Sequence, residues 1–172
     1  MELNKNITCA FTGKRPQNLP WKFIEEDERC KLIKEKAKIE IENAVKKGYK
    51  NFITGMALGF DTYVAEILLE LKKVYDIKII CAIPCKTQDT LWSQKDKKRY
   101  HHILSKADYI HCISETYTSW CMQKRNVYMV DNSSLLIALF DGKSGGTKNT
   151  IDYATNNGVE TIVINPLSWQ KM

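Results

Sequence analysis

Three glycine-bearing polar clusters in this sequence could cradle an anion. They read Thr12-Gly13-Lys14-Arg15-Pro16, Thr54-Gly55-Met56-Ala57-Leu58-Gly59-Phe60-Asp61 and Asp141-Gly142-Lys143-Ser144-Gly145-Gly146-Thr147. Glycine lets a backbone approach a ligand closely and leaves amide N–H groups uncovered. A helix that starts behind such a loop aims unpaired N–H groups and the positive end of its dipole at a phosphate. The plainer reading is three tight turns, and what favours a shared pocket is that all three fall at one edge of a sheet. Neither GxxxxGK[ST] nor GxGxxG occurs, so the clusters are not a P-loop or the usual dinucleotide fingerprint. No resident cofactor is expected.

The segment Cys121–Asp131 carries the second signal. As a helix it sets Arg125 and Met129 one turn apart, with Met122 on nearly the same side. The methionines would face the core, leaving Arg125 at its margin. A planar guanidinium there suits bidentate binding of a phosphate. The competing reading is a surface arginine paired with Asp131 or Glu115. Asp61, Glu66, Asp131 and Asp141 stand near the clusters, and any one could be a catalytic carboxylate. Asp61 reads first as a helix N-cap. His101 and His102 fall on a polar helix, and His111 lies in a strand without neighbouring ligands, so no metal site is expected.

These residues need a scaffold that brings distant loops together. Short apolar runs at 7–12, 52–54, 77–83, 109–113, 135–140 and 161–164 read as strands. Helical periods fill 27–47, 61–73, 93–106, 118–132 and 147–157. Gly48 and Gly158 are placed to stop the first and the last helix. Pro84 is expected to end the third strand. The runs 77–83 and 135–140 are apolar almost throughout, which suits central parallel strands buried on both faces. Strand alternating with helix gives an open, mainly parallel sheet of five or more strands, with helices on both faces. In such a sheet ligands bind beyond the carboxyl ends of the strands, where the glycine clusters fall.

Bulk properties narrow the class. The 172 residues suffice for one α/β domain with a three-layer core, and no linker divides 1–172. Apolar residues make up 44% and charged residues 27%, a globular composition. No apolar run approaches the ~20 residues of a membrane span, and no signal-peptide core precedes the first strand; the cytoplasm is the expected setting. Cys9, Cys30, Cys81, Cys85, Cys112 and Cys121 lack zinc-site spacing and read as reduced structural thiols. The net charge of +6 helps capture phosphates but gives no basic stripe for sequence-specific DNA.

Together the blocks 9–16, 54–62 and 121–131, the last followed by Gly145-Gly146-Thr147, resemble the SLOG superfamily, which is named for the DNA-uptake protein DprA (Smf) and the LOG enzymes. The nearest group is the YpsA-like SLOG proteins. The resemblance implies a Rossmann-like fold and a nucleotide-derived ligand of the ADP-ribose or NAD-related type. LOG enzymes cleave ribose 5-phosphate from nucleoside monophosphates through the pattern M-H-x-R-K-x-x-M, a strand, and P-G-G-x-G-T-x-x-E. Met122, Arg125 and Met129 match the first part. The later loop is longer here, and Thr150 stands at the position of the catalytic glutamate. A threonine cannot serve as a carboxylate, and Asp152 is rotated about 200° round a helix from Thr150.

The expected ligand-binding residues are Thr12, Gly13, Arg15, Gly55, Gly59, Asp61, Arg125, Asp131, Gly145, Gly146 and Thr147. Whether a reaction is catalysed stays open. The alternatives are a nucleotide-processing hydrolase that uses a different acid, such as Asp61, Asp131 or Asp141, and DprA-like binding of single-stranded DNA. SLOG relatives commonly pair, so a homodimer is expected; Trp92, Tyr100, Tyr117 and Trp120 are aromatic residues that could serve an interface or a ligand lid.

Overall fold

A computed structural model describes residues 2–167. Six strands form one sheet: β1 (Thr8–Gly13), β2 (Asn51–Thr54), β3 (Lys78–Cys85), β4 (Tyr109–Ser114), β5 (Leu135–Leu139) and β6 (Glu160–Ile164). Five helices connect them: α1 (Glu28–Lys46), α2 (Phe60–Leu71), α3 (Gln94–Lys106), α4 (Cys121–Asp131) and α5 (Gly146–Asn156). The strand order is β4-β3-β2-β1-β5-β6, and every adjacent pair is parallel. This is the α/β, Rossmann-like, three-layer arrangement that the alternation of apolar runs and helical periods predicts.

Successive side chains of a strand point to opposite faces, and the core divides accordingly. Cys9, Phe11, Phe52, Ile79, Cys81, Leu135 and Ile137 pack on one face with Ile33 and Ile41 of α1, Phe60 and Val64 of α2 and Ile103 of α3. Ala10, Ile53, Ile80, Ala82 and Leu136 pack on the other with Met129 and Val130 of α4 and Ala154 of α5. The first face carries three phenylalanines, Phe11 stacking on Phe52 and meeting Phe60 edge-on.

The chain leaves β1 toward β2, β3 and β4, then returns to β5 on the other side of β1. The loops after β1 and β5 therefore diverge, and a crevice opens between them at the carboxyl edge.

Two local expectations are corrected. Pro84 does not end β3, which runs on to Cys85. The register with β4 pairs Ile83 with Cys112 and Cys85 with Ser114, passing over Pro84. Pairing with β2 stops at Cys81, so the missing proline N–H breaks no ladder bond there. Asp61 is not the cap of α2. That position is Gly59, held at φ 90°, and the Phe60 N–H donates to the Lys14 carbonyl at 3.3 Å. A backbone carbonyl of the first loop thus does the capping. Gly48 and Gly158 follow the ends of α1 and α5 with positive φ, as expected. All six cysteines are free thiols.

Candidate functional site

The crevice between β1 and β5 is a cleft of about 690 Å³. Thr12, Gly13, Lys14 and Arg15 form the wall after β1. Ser144, Gly145, Gly146 and Thr147 form the wall after β5, Ala57 and Asp61 reach it from the loop and helix after β2, and Arg125 comes from α4. The three glycine clusters therefore do meet at one edge of the sheet.

The far wall is the start of α5. Gly145 caps the helix at φ 143°, with no side chain closing the helix end. A Cβ at Gly145 or Gly146 would meet nothing within 4 Å, so both face open space. The amides of Gly146 and Thr147 lie in the first helical turn, which has no preceding carbonyls to accept from it. Thr147 is 7% exposed and lines the cleft.

Arg125 is 4% exposed, a rare burial for a guanidinium. Its Nη1 donates to the Gly55 carbonyl and its Nε to Asn126 Oδ1 at 2.8 Å. Its Nη2 makes no hydrogen bond among the described residues. Burial depresses its pKa, while the Asp61 carboxylate pushes back and the nearby Arg15 cation adds to the depression. Gly55 leaves room for this placement: a Cβ there would lie 2.7 Å from Arg125 Nη1.

Asp61, 7% exposed, is the buried acid of the cleft. Burial raises its pKa, against the charge of Arg125 and the Ala57 N–H, which donates to Asp61 Oδ2 at 3.2 Å. Thr54 Oγ1 donates to the Asp61 carbonyl at 3.0 Å, and Thr62 Oγ1 to the Ala57 carbonyl at 2.9 Å. The loop after β2 is thereby tied to the first turn of α2.

Lys14 is a further basic residue of the site. It is 8% exposed and pairs with Asp141 across the crevice at 3.4 Å, with the Phe140 ring 5.9 Å from its Nζ. Burial alone would raise Asp141, yet the Lys143 N–H and the Lys14 ammonium outweigh it and hold the carboxyl below its ordinary range. A buried lysine leaves no mark in a sequence already rich in surface lysines. Its position directly after Gly13 was the available signal. Counting the lining, five basic side chains (Lys14, Arg15, Lys22, Arg125, Lys143) face two carboxylates, Asp61 and Asp141. The cleft favours anions.

Several expected residues stand elsewhere. Gly55 and Gly59 shape the site from beneath without lining it; a Cβ at Gly59 would lie 2.5 Å from the Lys14 carbonyl. Asp131 is exposed at the end of α4, just before the chain enters β5, and so lies at the opposite edge of the sheet. It accepts from the Tyr153 hydroxyl at 2.7 Å. Glu66 binds Arg99 at 2.6 Å. Met122 is only half-buried at the cleft rim, where its sulfur accepts from Arg15 Nη2 at 2.9 Å, rather than facing the core. Tyr100 is buried rather than exposed, edge-on to Trp92. Thr150 is 2% exposed, donates to the Gly146 carbonyl at 2.9 Å and does not line the cleft. Asp152 pairs with Lys148. His111 stacks on Tyr128 with ring centres 3.8 Å apart. No metal-holding group of His, Cys, Asp or Glu stands among the described residues, and none of their helices is long and apolar enough to cross a membrane.

Comparison with known proteins bears on the family and the fold. The model of the YspA SLOG family matches residues 9–165. An uncharacterized SPbeta prophage-derived protein, YoqJ of Bacillus subtilis, is 38% identical over 71% of this chain and 80% of its own length. A UPF0398 protein of Macrococcus caseolyticus is 24% identical over 92% of this chain and 91% of its own. Among solved structures, DNA processing protein A from Streptococcus pneumoniae superposes with a TM-score of 0.63 at 18% identity. It covers 95% of this chain, which spans only 54% of that larger one. DNA processing protein A from Helicobacter pylori, described for its single-stranded DNA binding mode, gives a TM-score of 0.57 at 19% identity, over 91% of this chain and 64% of that one. At these identities the likeness is one of fold.

Proposed function

We propose that this chain, which belongs to the YspA SLOG family, binds a phosphate-bearing, nucleotide-derived ligand of the ADP-ribose or NAD-related type in the cleft between β1 and β5. The observation that carries the reading is the pairing of an open helix N-terminus with a buried arginine. The Gly145-Gly146-Thr147 start of α5 and Arg125 line one cleft. Helix-terminal amides and a guanidinium both donate to phosphate oxygens, and both are held in place before the ligand arrives. Thr12 and Gly13 belong to the opposite wall, after β1, and Arg15 adds charge there.

Binding rather than turnover is favoured by Thr150. At the position of the LOG glutamate stands a buried hydroxyl turned back onto its own helix. The fold shared with DNA processing protein A supports a second reading, in which the phosphates belong to single-stranded DNA. The buried, two-sided placement of the anion-binding groups fits a small ligand better than a passing strand. The protein is further proposed to act as a cytoplasmic homodimer that does not read DNA sequence. Tyr117 and Trp120, 64% and 49% exposed beside the start of α4, are exposed aromatic residues available for pairing. Light scattering that shows a monomer at high micromolar concentration would remove the dimer from this proposal.

The test of the ligand is titration calorimetry with ADP-ribose, NAD, AMP and ribose 5-phosphate. Arg125→Ala should weaken binding by about 1.5–3 kcal/mol, the range for a charged hydrogen bond, or roughly tenfold to more than a hundredfold. Arg125→Lys should recover only part, because an ammonium cannot offer the paired donors. Unchanged affinity in Arg125→Ala, or no binding of any of the four compounds, overturns the reading. Tight binding of single-stranded DNA that persists at physiological salt would favour the second one.

A further inference from the structure

A second cleft of about 580 Å³ adjoins the first and shares Arg15, Gln17 and Ala57 with it. Its chemistry differs. Phe23, Leu91 and Trp92 line it, and the first two are 56% and 96% exposed. They give this cleft a more apolar rim than the first one has. Trp92 is half-buried and held edge-on against buried Tyr100, with ring centres 5.1 Å apart. Arg99 lines the cleft too, but its charge is spent: Glu25 accepts from it at 2.6 and 3.0 Å and Glu66 at 2.6 and 3.3 Å.

Gln88 lines the cleft as well, its amide nitrogen donating weakly to the Tyr100 hydroxyl at 3.4 Å.

Between the two clefts stands Arg15. Its guanidinium's only hydrogen bond among the described residues is to the Met122 thioether, a weak acceptor, and no carboxylate among those residues lies within ion-pair distance. A cation with so poor a partner is available to whatever crosses from one cleft to the other.

From this division we infer that the second cleft receives the base of the ligand whose phosphate sits in the first. The base is a planar heterocycle whose ring packs against Trp92 and Phe23, and the linking phosphates pass Arg15. The inference rests on the phosphate reading of the first cleft and makes it more specific. Two clefts of different chemistry, each large enough for a small ligand, select a two-part molecule of the adenosine-diphosphate type over a bare sugar phosphate.

Calorimetry with two probes tests this, using ADP-ribose directly and ribose 5-phosphate by displacement of ADP-ribose. Phe23→Ala combined with Leu91→Ala alters only exposed side chains, so the fold is retained. That variant should lose about tenfold in ADP-ribose affinity, as expected for lost base–aromatic contact, and bind ribose 5-phosphate as the parent does. ADP-ribose should quench tryptophan fluorescence in the parent and quench it much less in Trp92→Phe; ribose 5-phosphate should quench neither. If ADP-ribose binds the parent and the double variant equally, and Trp92→Phe leaves the quench intact, the base lies elsewhere and this inference fails while the phosphate site stands. If neither probe binds the parent, both readings fail together.

Discussion

The guanidinium of Arg125 lies against the backbone of Gly55, its Nη1 donating to the Gly55 carbonyl, and the two residues stand 70 positions apart in sequence. The contact joins α4 to the loop after β2 and sets the depth at which Arg125 enters the cleft. A Cβ at residue 55 would lie 2.7 Å from Nη1 and 2.8 Å from the guanidinium carbon. Gly55→Ala should therefore push Arg125 off its seat. The atoms met are the far end of a flexible side chain, which yields at small cost, so ADP-ribose binding should weaken more than urea stability falls. A variant as stable as the parent that binds equally well would show that Arg125 does not depend on this seat.

Lys14 and Asp141 hold each other across the crevice, so Asp141 competes with any anion for the lysine. Asp141→Asn removes the competing charge and leaves a side chain of similar shape. ADP-ribose affinity should rise severalfold, and more at low salt, where charge interactions are less screened. Lys14→Met should lower it. A fall in affinity in Asp141→Asn would mean that the carboxylate itself contacts the ligand.

Asp61 gives stability a pH dependence of definite sign. Burial raises its pKa above the ordinary 3.8, against the pull of Arg125 and the Ala57 N–H. The folded chain thus keeps a proton that the unfolded chain has released. The contribution of Asp61 to stability is full below 3.8 and falls as pH rises through the raised value. The unfolding free energy of the parent minus that of Asp61→Asn should therefore decline as pH rises above the ordinary value. Paired denaturation series from about pH 3.5 to 7 measure it, and a difference that stays flat or climbs contradicts the assignment.

The loop that walls both clefts is anchored by Trp21, 1% exposed, whose Nε1 donates to the Tyr63 hydroxyl at 3.0 Å. Tyr63→Phe keeps the ring and strands the indole N–H. The expected cost is about 1–3 kcal/mol, that of an unsatisfied buried donor. An unchanged urea midpoint would show that the indole finds another acceptor.

Much of this molecule is legible in its sequence because the signals are local and repeated. The apolar runs at 77–83 and 135–140 announce buried parallel strands, because a strand covered by helices on both faces can carry no polar alternation. Gly48 and Gly158 announce helix ends because the left-handed turn after a helix favours glycine. The three glycine clusters share one edge because every parallel strand ends on the same side of its sheet.

What the sequence by itself determined is the layered α/β scaffold, the edge that carries the cleft, and the candidacy of Arg125 and of Gly145-Gly146-Thr147. Each follows from periodicity, turn chemistry or spacing within a few residues. Only the tertiary structure decided the rest. It put Asp131 at the far edge, although it sits six positions from Arg125, because a helix of 11 residues spans the height of the sheet. It buried Lys14 against Asp141 and seated Arg125 on Gly55, contacts made across 127 and 70 positions of chain. It turned Gly59, not Asp61, into the cap of α2, because the carbonyl that completes the cap belongs to Lys14 on another loop. Burial and charge pairing are properties of what the fold brings next to a residue, and no local pattern in the chain encodes them.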